Sequence, residues 1–234
     1  MLIINKNDLF WETVFRKRYV PERVGGEVRF HGDHYGFRKL MEDPGSFRVA
    51  IIGTRDISNR CPENVKRIVE TLKTMETNTG LKPVVVSGLA LGVDAAAHRA
   101  AITCGLPTIA VMGTGLDMVY PYMHTALADD IKSTPGSGLL TPFAEGTAPQ
   151  PASLILRTYL IALMSDLVIV PESKEKGMAM VCARLAYEYD IPVLAVPGRP
   201  EDIRSQGCNK LIEKGWARMF CDLDKLPSLA GNNS

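Results

Sequence analysis

The chain has 234 residues, 46% of them hydrophobic and 23% charged, with a formal net charge of +1. That is room for one large α/β domain and a small appendage. The charge balance excludes a protein that coats nucleic acid over a broad basic surface, so any phosphate binding must come from a local patch or from backbone N–H groups.

The five cysteines (Cys61, Cys104, Cys182, Cys208 and Cys221) are odd in number and include no C-x-x-C pair. This favours a reduced compartment over a disulfide framework or a zinc site. The segment MLIINKNDLFWETVF has no basic region before an apolar core, and no apolar run is long enough to span a bilayer. The expectation is a soluble cytoplasmic protein with no membrane partner.

Residues 1–46 are rich in charge and aromatics, among them Phe10, Trp11, Phe15, Tyr19, Phe30, Tyr35 and Phe37. Asn7 and Asp8 predict the cap of a short helix over about 8–18. The segment is too short to fold alone and is expected to pack on the main domain or on a partner. Asp43-Pro44-Gly45 then makes a turn into the first strand of that domain.

From Phe47 onward, short apolar runs alternate with longer amphipathic ones. Strands are predicted at about 47–52, 82–87, 107–112, 138–141, 167–171 and 192–196. Helices are predicted at about 61–78, 92–104, 124–133, 152–164, 177–189 and 207–214. The strands are runs of Val, Ile, Ala and Leu without polar alternation, as buried parallel strands require. The fold class is α/β, a doubly wound and mostly parallel sheet spanning 47–226 with helices on both faces. The last residues, 227–234, are expected to be disordered.

Three of the strands end in glycine-bearing turns: Gly53-Thr54-Arg55, Ser87-Gly88, and Gly113-Thr114-Gly115. Glycine lets backbone approach a ligand, and free N–H groups at a helix start attract anions. Arg55 offers a planar fork of donors suited to phosphate, and Ser87 a hydroxyl. Tyr120 would stack on a base or simply pack in its loop. Arg157 sits in an otherwise apolar helix and should find a partner or point into a cleft. The candidate phosphate or nucleic-acid site is therefore Gly53, Thr54, Arg55, Ser87, Gly88, Gly113, Gly115, Tyr120 and Arg157.

Other groupings carry less. Asp94 and His98 are four apart on one helical face, as either an acid–base pair or a dipole-favoured carboxylate bonded to a histidine. His31-x-x-His34 lacks further ligands for a metal. Glu172, Lys174, Glu175 and Lys176 read as a solvated loop. No G-x-G-x-x-G occurs, so a dinucleotide cofactor is not expected. No catalytic residues, cofactor or metal are assigned.

The stretches VAIIGTR, VVVSGLALGVDAAAH, TIAVMGTGLDMVYP, VLAVPG and GCNKLI, in that order, resemble the Rossmann-like domain of the DNA-processing protein A (DprA/Smf) family. The resemblance implies a non-enzymatic single-stranded DNA-binding protein of DNA processing, recombination and natural transformation, acting as a homodimer and loading the recombinase RecA. It also implies that Arg55 contacts DNA and that Arg157, Thr158 and Tyr159 stand where the family has R-N-R. The chain departs from the pattern at Tyr159, at Thr141-Pro142 in place of serine–glutamate, and at Lys176-Gly177-Met178 in place of a serine–glycine–threonine turn. About 46 dissimilar residues precede the resembling part.

Two alternatives stand beside that reading. One is a nucleotide-sensing module, which the near-neutral charge favours. The other is a nucleoside-monophosphate phosphoribohydrolase, which needs a P-G-G-x-G-T-x-x-E turn that Pro171 to Met178 breaks.

Overall fold

The structure is a computed structural model that describes residues 1–226; the tail expected at 227–234 lies outside the described residues. In chain order its elements are β1 (Leu2–Asn5), α1 (Leu9–Val14), β2 (Glu27–Gly32), α2 (His34–Glu42), β3 (Ser46–Ile51), α3 (Cys61–Thr79), β4 (Lys82–Ser87), α4 (Val93–Thr103) and β5 (Thr108–Val111). They continue with α5 (Thr125–Ser133), β6 (Gly138–Thr141), α6 (Pro151–Met164), β7 (Leu167–Val170), α7 (Met178–Glu188), β8 (Val193–Ala195), α8 (Gln206–Glu213) and β9 (Arg218–Met219).

One nine-stranded sheet, ordered β1-β2-β6-β5-β4-β3-β7-β8-β9, organises the molecule. From β6 to β9 every pairing is parallel. The two N-terminal strands are antiparallel. This is the doubly wound α/β fold expected from the alternating runs. Alternate residues of each strand enter different layers. Val49 and Ile51 pack with α3 and α4, while Ala50 and Ile52 pack with α6 and α7. Both faces of the central strands are covered, which explains their unbroken apolar sequences.

Residues 1–46 build two strands of the sheet. In β2, Val28 and Phe30 are buried while Glu27, Arg29 and His31 alternate with them, a half-exposed strand pattern. Glycine is required where β2 meets β6. A Cβ on Gly138 would lie 2.4 Å from the Phe30 ring and 2.6 Å from the His31 carbonyl. Asp33 caps α2 by accepting from Gly36 N at 3.0 Å and ties it to the turn before β6 by accepting from Gly136 N at 2.8 Å.

Three arginines hydrogen-bond this segment to the rest. Arg48, on β3 and fully buried, donates to the carbonyls of Val14 at 2.6 Å, Thr13 at 2.9 Å and Met41 at 3.0 Å. These are the orphan carbonyls at the C-terminal ends of α1 and α2, where a cation also suits the helix dipole. Arg18 does the same for α6, donating to Leu163 and Ser165, each at 2.9 Å. Arg16 pairs with Asp166 at 2.7 Å, and the same carboxylate accepts from Arg48 N at 2.8 Å. Burial pulls the Arg48 guanidinium down to about 9, still charged at neutral pH.

Replacing Arg48 by methionine keeps the volume but strands two buried carbonyls and a third that is partly buried. The expected cost is about 3 kcal/mol in urea denaturation. A loss below about 1 kcal/mol would mean that the carbonyls find other partners.

Candidate functional site

β3 and β7 are neighbours, yet the chain leaves β3 toward β4 and leaves β7 toward β8. The loops diverge and open a crevice at the carboxyl ends of the strands, where ligands settle in such sheets. The cleft there measures 420 Å³. Its walls are Gly53, Thr54, Arg55 and Asp56 after β3, Ala90 and Asp94 after β4, Arg157 and Thr158 from α6, and Lys174 and Lys176 to Ala179 after β7.

The turn after β3 is held from two sides. Thr54 N donates to the Glu172 carbonyl at 2.8 Å, and Val93 N donates to the Thr54 carbonyl at 3.2 Å. The Glu172 carboxylate also accepts from Ser58 N at 2.9 Å. A Cβ on Gly53 would stand 2.4 Å from both the Glu172 carbonyl and the Val93 side chain, so only glycine fits. Arg55 is thereby presented on a fixed turn. It is exposed and makes no ion pair among the described residues.

Behind it lies a buried carboxylate. Asp94, 5% exposed in the first turn of α4, accepts from Ala90 N at 3.3 Å, and the N–H groups of Gly88 and Gly53 also point to it. Leu89 adopts a left-handed φ of +60°, which helps curl these amides into an anion-binding concavity. Leu89 is pinned by full burial and by His124 Nδ1, which donates to its carbonyl at 2.9 Å. Arg157 closes the other side, with Nη2 3.8 Å from Asp94 Oδ2 and Nη1 donating to the Gly88 carbonyl. Burial pushes Asp94 up and Arg157 down, both toward neutrality; their mutual attraction opposes this on each side without reversing it.

These placements divide the residues that the sequence singles out. Gly53, Thr54, Arg55 and Arg157 line the cleft. Tyr120, 40% exposed, shares a small recess with Arg55 and Arg157. Gly88 lies beneath the Arg157 guanidinium, where a Cβ would be 2.7 Å from Cζ.

Three residues are placed otherwise. Ser87 is fully buried and donates its hydroxyl proton to the Ile51 carbonyl at 2.6 Å, binding β4 to β3 rather than a ligand. Gly113 packs against Leu154, 2.8 Å from a built Cβ, and Gly115 against the Ala144 carbonyl, 2.6 Å away. Both glycines serve close packing of the chain on itself. Nor do Asp94 and His98 pair, since His98 Nδ1 meets Thr108 Oγ1 at 2.7 Å.

The loop read as merely solvated contributes to the cleft. Lys174 pairs with Asp56 at 2.8 Å, while Lys176 is exposed. Gly177 begins α7 without any side-chain cap, and Gly177, Met178 and Ala179 at that helix start line the cleft beside two lysines. A helix start with uncapped amides favours an anion. The sequence signal is that this loop follows β7; its weight depends on β7 lying next to β3, which only the strand order reveals. Among the described residues no cluster of three or more His, Cys, Asp or Glu is arranged to hold a metal.

Sheet order and cleft define a doubly wound α/β protein with a cationic crevice at its switch point. Residues 40–230 match the family model for DNA recombination-mediator protein A, and the chain belongs to that family of DNA-processing proteins. It is 35% identical over 168 residues to DNA processing protein DprA of Streptococcus pneumoniae, covering 72% of this chain and 56% of that one. It is 32% identical over 170 residues to protein Smf of Escherichia coli, covering 73% and 44%. The chain thus spans about half the length of these curated relatives.

The crystal structure of the S. pneumoniae protein superposes with a TM-score of 0.82 at 28% identity, over 98% of this chain and 74% of that one. A structure addressing the single-stranded DNA binding mode of Helicobacter pylori DNA processing protein A gives 0.74 at 28% identity, over 91% and 93%. A molybdenum cofactor binding protein of Rippkaea orientalis, 14% identical with a TM-score of 0.51 over 79% of this chain and 93% of its own, shares the fold alone.

His98 is fully buried, and burial lowers it from 6.5 to about 3. It stays neutral in the fold while the unfolded chain takes up a proton, so its contribution is complete above about pH 6.5 and lost as pH falls toward 3. Urea denaturation from about pH 7 to about pH 5 should cost the wild type about 2 kcal/mol more than His98→Gln. Equal losses in the two proteins would remove His98 from the acid response.

Proposed function

We propose that this chain is a non-enzymatic single-stranded DNA-binding protein of DNA processing and recombination, with the strand's phosphates held in the switch-point cleft. The observation that carries the proposal is Arg55. It is a guanidinium fixed on a rigid turn, exposed, and without a carboxylate partner among the described residues. It stands beside Arg157 and Tyr120 and across the cleft from Lys176 and the uncapped start of α7. Arginine, backbone amides and an adjacent aromatic are the combination that holds a single strand by phosphate contact and stacking. The H. pylori relative, addressed for its single-stranded DNA binding mode, supports the reading.

Family membership extends the proposal to a cytoplasmic homodimer that serves natural transformation and hands single-stranded DNA to the recombinase RecA. A hydrolytic role on nucleotides is disfavoured because the carboxylates at the cleft already have partners, the exposed Asp56 pairing with Lys174 and Arg204. Glu172 accepts from Ser58, and Asp94 is buried against Arg157 and backbone amides. A second reading, a sensor of a small phosphorylated nucleotide, is favoured by one observation: a cleft of 420 Å³ suits a single nucleotide.

Arg55→Ala should weaken single-stranded DNA binding about ten- to a hundredfold while leaving the melting temperature unchanged, since a charge-assisted phosphate contact contributes about 1.5–3 kcal/mol. The log–log salt slope of the wild type should be shallow, about −2 to −4. Unchanged affinity in the variant, or binding indifferent to salt, favours the sensor, as does tighter binding of mononucleotide than of oligonucleotide.

A further inference from the structure

We propose that a strand held in the cleft continues into the groove between α3 and α4, making this face a second, length-dependent part of the binding surface. The proposal rests on the single-stranded DNA reading above. Arg55 lines both the cleft and a groove of 530 Å³ that runs along α3 and α4, so the two are continuous through the residue already argued to hold phosphate. The charged residues lining the groove are Arg55, Lys66 and Arg99, and no carboxylate is among them.

All three cations are exposed. Arg99 makes no ion pair among the described residues. Lys66 meets Glu70 at 3.6 Å across one exposed helical turn, a pairing weak enough to yield to a phosphate. Cations spread along a groove, rather than gathered at one point, match a linear polyanion. The groove exists because α4 faces it with small residues, Ala95, Ala96 and Ala100, where longer side chains would fill it. Apart from Thr103 and His124 its remaining surface is apolar, with Leu91 37% and Met123 71% exposed. Sugars and base faces can rest on such a surface while phosphates meet the rim.

The test is fluorescence anisotropy with labelled oligothymidylates of about 5 and about 25 nucleotides, the first long enough for the cleft alone and the second for cleft and groove. The proteins are wild type, Arg55→Ala, and a double variant carrying Lys66→Ala and Arg99→Ala. Both double-variant positions are exposed and helical, where alanine is well tolerated, and a melting curve confirms folding. The wild type should bind the long oligonucleotide more tightly. The double variant should keep its affinity for the short one within about twofold, lose about tenfold on the long one, and show a salt slope shallower by about 1.4. Arg55→Ala should weaken both.

Equal affinity of wild type and double variant for the long oligonucleotide would overturn the groove while leaving the cleft intact; a groove serving an acidic peptide would give that result. A wild type that binds neither length would overturn the cleft reading, and the groove with it.

Discussion

The architecture of the cleft depends on one buried carboxylate. Asp94 sits where the turns after β3 and β4 converge, and the amides of Gly53, Gly88 and Ala90 are turned toward it. A concavity of amides at the end of a parallel sheet commonly receives a phosphate. Here the chain supplies its own anion to that concavity, and Arg157 covers it. The backbone turns are therefore fixed before any ligand arrives. In the proposed reading, recognition falls to the groups one layer further out: Arg55, Lys176, Tyr120 and the start of α7. Burying an acid and a base 3.8 Å apart is costly, and it yields two loops held in register around a rigid base.

This layering explains why some of the site was legible in the sequence and some was not. From residue 47 onward, each predicted strand and helix lies within about two residues of its observed place, because a parallel strand buried on both faces is an unbroken apolar run that stops at a glycine turn. Gly53 and Arg55 could be picked out because any residue just after such a strand lies at the ligand-binding edge. Which donors remain free is another matter. The Ser87 hydroxyl is taken by Ile51 and the glycines after β5 by neighbouring chain, and these partners come from other elements. Lys174 and Lys176 join the site only because β7 returns to lie beside β3, a fact of strand order that no local pattern carries.

The N-terminal segment was harder still to read, since β1 and β2 are short and half exposed. Glu27, Arg29 and His31 dilute a pattern of only two buried residues, Val28 and Phe30. Their place in the sheet is set by long-range contacts: glycine backbones meeting across β2 and β6, and arginines reaching the ends of distant helices. The same arginines show how a charge-rich segment can be integral to a core. Each guanidinium substitutes for a missing turn of helix by answering carbonyls that would otherwise be buried without partners.

The register of β2 on β6, with Arg29 opposite Thr141, has a consequence for the order of assembly. During synthesis the antiparallel pair β1 and β2 is made before the rest of the sheet, but the strand it must join, β6, begins only at Gly138, by which point more than half of the chain has been made. Until then its inner edge has no partner, and the entropy of closing so long a loop delays the pairing further. The sheet therefore grows outward from β3, β4 and β5, which pair with one another in chain order, and accepts its earliest-made strands among its last.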